Sequence, residues 1–197
     1  TPTVVIVGRP NVGKSTLFNR IIGSQQAIVE DRPGITRDRK TLDAEWLDVP
    51  FRVVDTGGWM PGGDGLDEKV ARQVESAVAD ADVVLLLVDA HDGPMAPTRF
   101  VFRKAFQHGL KPSVLLNKVD RPGARPQQVL DEVVSMFCDM DVEDHQLEFR
   151  TLYASGRDGW AVIALGDERK NLEPLFRTIV DEIPAPSGDP DAEPQLS

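Results

Sequence analysis

Apolar residues fall along this chain in two alternating patterns. The first is a short run that is apolar at every position: Val4-Val5-Ile6-Val7, stopped by Gly8, then Val83 to Val88, then Val114-Leu115-Leu116. Such runs predict parallel strands covered on both faces, because a strand with one wet face would alternate. Between Thr41 and Asp55 two further runs flank Asp48-Val49-Pro50, which predicts a hairpin and hence one antiparallel strand. A last run closes on Tyr153-Ala154-Ser155-Gly156.

The second pattern repeats at helical spacing. Leu66, Val70, Val74 and Ala77 form one stripe; Val129, Val133, Met136, Phe137 and Met140 form another. Leu172, Leu175, Phe176, Ile179, Val180 and Ile183 form the clearest. These are core faces and carry no chemistry of their own. Strand runs alternating with helix stripes predict a three-layer α/β domain with a mostly parallel, six-stranded sheet. The domain is expected over residues 1–184, because the Pro-, Asp- and Ser-rich stretch 185–197 cannot build a core and predicts a disordered tail.

Composition narrows the class. The chain has 197 residues, a net charge of −10, 41% hydrophobic and 27% charged residues, as expected of one soluble globular domain. The acidic balance argues against a broad non-specific nucleic-acid surface. No apolar run reaches the roughly 18 residues that a membrane span needs, and no basic-apolar leader opens the chain. A cytoplasmic setting without membrane contact is expected, and the single cysteine, Cys138, excludes an internal disulfide. His91, His108 and His145 lack metal-ligand spacing.

Chemistry enters at Gly8-Arg9-Pro10-Asn11-Val12-Gly13-Lys14-Ser15, which matches G-x-x-x-x-G-K-[ST]. The motif follows a strand and precedes the helical pattern Leu17, Ile21, Ile22, the context it requires. Glycines let backbone N–H groups converge on phosphate oxygens, and the helix adds its positive N-terminus. Lys14 then neutralises β- and γ-phosphates, Ser15 places a hydroxyl on Mg²⁺, and Thr16 stands next to the α-phosphate. Asp55-Thr56-Gly57-Gly58 ends the strand Phe51-Arg52-Val53-Val54 where open α/β sheets bind ligands. Asp55 is expected to hold Mg²⁺ through water, and the Gly58 N–H to reach a γ-phosphate. Asp31-Arg32-Pro33-Gly34-Ile35-Thr36-Arg37-Asp38 reads as an exposed loop whose Thr36 would complete the Mg²⁺ shell.

A base reader follows at Asn117-Lys118-Val119-Asp120. Two carboxylate oxygens on Asp120 suit the N1–H and 2-amino donors of guanine, a pair that adenine lacks. Asn117 could reach the other purine edge, the Lys118 stem could cover the ring, and Ser155-Gly156 could offer backbone N–H groups to O6.

Taken in this order, the motifs resemble those of the Ras-like and translation-factor GTPases. GRPNVGKSTLFNR, DRPGITRDRK and DTGGW, within residues 1–80, are similar to the first GTPase domain of the EngA (Der) ribosome-assembly GTPases. VDAHDGPMAPTRFVFRKAF, NKVDRPGARP and QLEFRTLYASGRDG, within residues 83–186, resemble the GTPase domain of TypA/BipA. That division suggests two parental halves joined near residues 81–92. The resemblance implies a P-loop GTPase domain of αβα type that binds GTP and GDP with Mg²⁺ and belongs to proteins that meet the ribosome; a monomer is expected. It also implies that Asn11 can hold K⁺ as a substitute for an arginine finger. Where Ras-like enzymes carry Gln and translational ones His, this chain has Trp59, which cannot orient a water as an amide does. Slow GTP hydrolysis is therefore expected. A nucleotide-binding module without turnover, or a scaffold whose site never assembles, are the competing readings, and Arg32, Arg37 and Arg39 are read as solvated loop charges.

Overall fold

The side chains of the apolar runs divide between two cores, and that division sets the architecture. In the computed structural model, which describes residues 1–9, 11–23, 40–56, 68–110, 112–142 and 144–184, β1 (Thr3–Val7) sends Val4 and Ile6 to one side and Val5 and Val7 to the other. β4 (Val83–Asp89) does the same with Val83, Leu85 and Leu87 against Val84, Leu86 and Val88. Successive strand residues point to opposite faces, so a run apolar throughout requires cover on both.

That cover comes from helices between the strands. On one face lie α1 (Lys14–Gly23) and α5 (Glu173–Glu182), contributing Leu17, Phe18, Ile21, Leu175, Phe176 and Ile179. On the other lie α2 (Glu68–Ala79), α3 (Ala96–Gln107) and α4 (Pro126–Cys138), contributing Val74, Ala77, Phe102, Val129, Val133 and Phe137. The Phe137 and Phe149 rings meet edge to face with centroids 4.6 Å apart, a favoured aromatic arrangement. Val129, Val133 and Phe137 of α4 and Leu172, Leu175, Phe176 and Ile179 of the last stripe bury as their periodicity predicts, as do Val74 and Ala77; Met136, Met140, Val180 and Ile183 are only half-buried, and Leu66 lies outside the described residues.

The remaining strands are β2 (Lys40–Trp46), β3 (Val49–Asp55), β5 (Ser113–Asn117), β6 (Thr151–Ser155) and β7 (Trp160–Val162), in the sheet order β2-β3-β1-β4-β5-β6-β7. Pairing is parallel from β3 to β6, and antiparallel between β2 and β3 and between β6 and β7. Among the described residues the sheet thus has seven strands and two antiparallel edges, where six strands and one were expected. The addition is Trp160-Ala161-Val162, folded back by a turn in which Asp158 N–H donates to Ser155 Oγ at 3.1 Å and Gly159 N–H to Ser155 O at 2.8 Å.

The β2–β3 turn also shifts. It is Leu47-Asp48, with φ of 49° and 62°, while Val49 and Pro50 belong to β3. Two left-handed residues match the twist of a two-residue hairpin, but for Leu47 that conformation costs about 1–2 kcal/mol. The tail expected over 185–197 lies outside the described residues.

Candidate nucleotide site

Parallel strands end together, and the site grows from the ends of β1, β3, β5 and β6. Directly after β1, the chain rounds a loop in which a side chain on either motif glycine would collide. A Cβ on Gly8 would come within 2.9 Å of Leu87 O, and one on Gly13 within 2.5 Å of Asn117 Nδ2. Gly13 also has φ 98°, a backbone that favours glycine. Both glycines are thus demanded by close approach. Asn11 is exposed and left-handed as well, with φ 64°.

Lys14 opens α1 and is buried, and its ammonium bends back to donate to Gly8 O at 2.8 Å and Arg9 O at 2.9 Å. Burial lowers its pKa to about 8, against the opposing pull of the Asp55 carboxylate. The first N–H groups of an α-helix have no partner within the helix, so the start of α1 is a place where an anion could be received. Ser15 and Thr16 are exposed at the same end, whereas Val12 is buried beneath the loop.

β3 pairs with β1 so that Asp55 lies beside Ile6, which brings a buried carboxylate to the loop. The Ser15 hydroxyl donates to Asp55 Oδ2 at 3.2 Å. Two hard oxygen ligands thus touch, and among the described residues no group of three His, Cys, Asp or Glu competes as a metal cage. That donor set suits Mg²⁺, which takes one or two protein oxygens and fills its shell with phosphate and water. Thr36, Gly58 and Trp59 lie outside the described residues, as do Arg32, Arg37 and Arg39.

On the base side, Asn117 is buried at the end of β5 and joins two loops. Its Nδ2 donates to Val12 O at 2.7 Å, and its Oδ1 accepts the Gly156 N–H at 2.9 Å. Asn117 was expected at the purine edge; most of its amide is engaged with protein, leaving one Nδ2 hydrogen. Gly156, expected to face O6, likewise gives its N–H to Asn117, so an incoming carbonyl must displace that bond. Ser155 is buried and uses its hydroxyl within the β6–β7 turn.

Lys118, left-handed at φ 65°, sends its ammonium across to the Asn11 carbonyl. Asp120 stands at the mouth, its side chain 17% exposed, paired with the Arg157 guanidinium at 2.9 Å. A guanidinium carries the same kind of adjacent N–H donors that guanine offers a carboxylate. A cavity of about 900 Å³ bounded by Thr16, Arg20, Trp46 and Phe176 flanks this edge. Among the described residues it shares only Thr16 with the predicted contacts, so it adjoins the candidate site and does not constitute it.

Three contacts were not anticipated. Arg9 pairs with Asp92 at 2.6 Å and anchors the phosphate loop to the turn after β4. The His91 hydrogen bond and then Arg9 hold the Asp92 carboxyl well below the usual carboxylate range. The others are the Arg157–Asp120 pair and a buried Asp89 at the end of β4. Asp89 carries the same signal that singled out Asp55, a carboxylate closing an apolar strand.

The G-x-x-x-x-G-K-S loop ahead of α1, the Ser15–Asp55 pair and the N-K-x-D sequence at the end of β5, gathered on one edge of an αβα sheet, are the features of a P-loop GTPase domain. Comparison with known proteins agrees: residues 3–118 match the model of the 50S ribosome-binding GTPase family, to which this chain belongs. The large ribosomal subunit assembly factor BipA of Salmonella typhimurium is 38% identical over 98% of this chain. The BipA of Synechocystis is 35% identical over the same share. The chain spans about a third of those relatives, 33% and 34% of their length. Among solved structures, Era with MgGDPNP and a stretch of 16S ribosomal RNA superposes with a TM-score of 0.65 at 25% identity, covering 99% of this chain and 60% of that one. The elongation factor SelB of Methanococcus maripaludis with GppNHp shares the fold, with a TM-score of 0.64 at 17% identity, covering 93% of this chain and 34% of that one.

Proposed function

We propose that this domain binds GDP and GTP together with Mg²⁺ and hydrolyses GTP slowly to GDP and phosphate. The observation that carries the reading is Asn117, whose amide ties Val12 in the phosphate loop to Gly156 beside the base reader. One side chain thereby sets the distance between the phosphate half and the base half.

Lys14 and the N–H groups of α1 neutralise the β- and γ-phosphates, with Thr16 at the α-phosphate. Asp120 accepts the guanine N1–H and 2-amino group, releasing Arg157, and the Lys118 stem covers the ring. Ser15 and Asp55 would hold Mg²⁺, joined by Thr36, and the ion would supply positive charge to the phosphate oxygens. Gly58 would donate to the γ-phosphate. Phosphoryl transfer depends on such placement and neutralisation more than on covalent chemistry by the protein. Trp59 offers no acceptor to orient the attacking water, so unstimulated turnover is expected on the order of 10⁻⁴ s⁻¹ or below.

Calorimetric titration of nucleotide-free protein with GDP and Mg²⁺, with ADP as control, tests the reading. Binding of GDP alone is expected, and at a hundredfold excess over Kd it should stabilise the fold by about 2.7 kcal/mol. Silence toward both nucleotides would leave the chain a scaffold. Trp59 favours a second reading, a nucleotide-binding module without turnover, which single-turnover hydrolysis separates from the first. Asn11, exposed in the phosphate loop, is proposed to hold K⁺; GTP hydrolysis faster in K⁺ than in Na⁺ is expected, and equal rates would remove that role.

The setting proposed is a cytoplasmic monomer, and among the described residues no helix is long and apolar enough to cross a membrane. Ribosome association enters only as far as the relatives' names carry it. A joint near residues 81–92 is a proposal about ancestry alone. The BipA alignments cover 98% of the chain, so the nucleotide site needs no composite origin.

A further inference from the structure

Asp89 closes β4 directly beside Asn117 of β5, with 1% of its surface exposed. Its two carboxylate oxygens have separate tasks. Oδ1 accepts the N–H groups of His91 at 2.8 Å and Asp92 at 3.2 Å, which shapes the turn leaving the strand. Oδ2 faces the Lys118 ammonium at 3.1 Å. Arg121 comes no nearer than 4.0 Å, on a half-exposed side chain, so Lys118 is the partner. Burial works against the charge on Asp89, but the two N–H bonds and Lys118 outweigh it and hold the carboxyl below its ordinary range.

Lys118 is therefore fixed at both ends. Its backbone is locked in the left-handed region, and its ammonium lies between Asp89 Oδ2 and the Asn11 carbonyl of the phosphate loop. A lysine side chain has large rotamer freedom, which a ligand must ordinarily quench when it uses the stem as a surface.

We infer that Asp89 is a positioning residue for guanine-nucleotide binding: it holds the Lys118 ammonium so that the lysine stem lies pre-ordered along the base site. The inference rests on the proposed nucleotide binding and adds to it a residue outside the recognised motifs. A turn-forming aspartate alone would need only Oδ1, whereas Oδ2 here meets a cation that the base site uses.

The two tasks can be separated chemically. Asp89→Asn keeps an oxygen for the His91 and Asp92 N–H groups but removes the charge opposite Lys118. GDP release, followed with a fluorescent GDP, is expected to quicken about five- to tenfold, the equivalent of one lysine side chain left to be ordered by the ligand. Lys118→Met keeps a flexible apolar stem without the ammonium, and should quicken release to a similar degree. In that background Asp89→Asn should add nothing, because the interaction is already gone. Unchanged release in Asp89→Asn, or an effect that persists undiminished on top of Lys118→Met, would overturn the inference. If Asp89→Asn does not fold, Lys118→Met decides, since unchanged release there leaves nothing for Asp89 to position. Failure of the unsubstituted protein to bind GDP would instead count against the proposed function.

Discussion

Asp120→Asn is expected to weaken GDP binding about a thousandfold and to improve binding of XDP, with no comparable change in the stability of the nucleotide-free fold. The carboxylate is an acceptor at both oxygens, which matches the two adjacent donors of guanine. Replacing one oxygen by an amide nitrogen sets a donor against the 2-amino group and leaves both hydrogen-bonding groups unpaired. Sites built to hydrogen-bond a polar group reject a mismatch by up to about 10⁴–10⁵-fold. Asp120 is partly open, at 17% exposure, so water relieves some of that penalty and a thousandfold, about 4 kcal/mol, is the better expectation. Xanthine carries a carbonyl where guanine carries the amine, so the same amide nitrogen becomes a partner. The fold should hardly respond, because the partner of Asp120 is the solvent-exposed Arg157 guanidinium, and an ion pair to a solvated cation adds little to stability. Competition titrations with GDP and XDP decide it; equal losses for both would place the base elsewhere.

The base site shows where sequence reasoning reaches and where it stops. Contiguous motifs were legible because their chemistry needs residues within one turn. Gly8 and Gly13 lie where a side chain would collide, and Lys14 and Ser15 lie within the same turn, with the Lys14 ammonium bonded to Gly8 O and Arg9 O and the Ser15 hydroxyl to Asp55. β1, β4 and β5 were legible for a related reason, since a run apolar throughout has one stable placement, between two helical layers. The contacts that join the motifs were not legible. Asn117 reaches Val12 across 105 positions, and Lys118 reaches Asp89 across a strand boundary. Both depend on β1, β4 and β5 lying side by side in a particular register, which no local pattern encodes. At the edges the signal is too short. Trp160-Ala161-Val162 has no period to read, and leucine is an unusual residue for a left-handed turn, so composition pointed to Asp48-Val49-Pro50.

Lys14→Met is expected to abolish measurable GDP and GTP binding, by a hundredfold or more, while removing a cost that the folded protein carries. The ammonium is buried against two carbonyls, and burial lowers its pKa from 10.5 to about 8. Below pH 8 the group is protonated in both folded and unfolded chains, and the cost of burying its charge is present in full. Between about pH 8 and 10.5 the unfolded chain binds the extra proton, so this group's contribution to stability rises with pH across that window. A depression of this size corresponds to up to about 3 kcal/mol. The stability of the unsubstituted protein measured relative to Lys14→Met should therefore grow by that order between pH 7.5 and 10.5; parallel curves would mean that the ammonium is solvated. Phosphate reverses the balance, because an anion beside Lys14 favours its charged form. Above pH 8 the nucleotide must then bind together with a proton, and the logarithm of the affinity should fall by up to about one for each pH unit. Calorimetry in buffers of different ionisation heat counts that proton directly. Uptake of one proton per GDP at pH 9 would show that the phosphates lie against Lys14, whereas no uptake would separate the lysine from the phosphates. On the first outcome, the burial that costs the folded protein stability would be the same feature that holds a desolvated positive charge for phosphate.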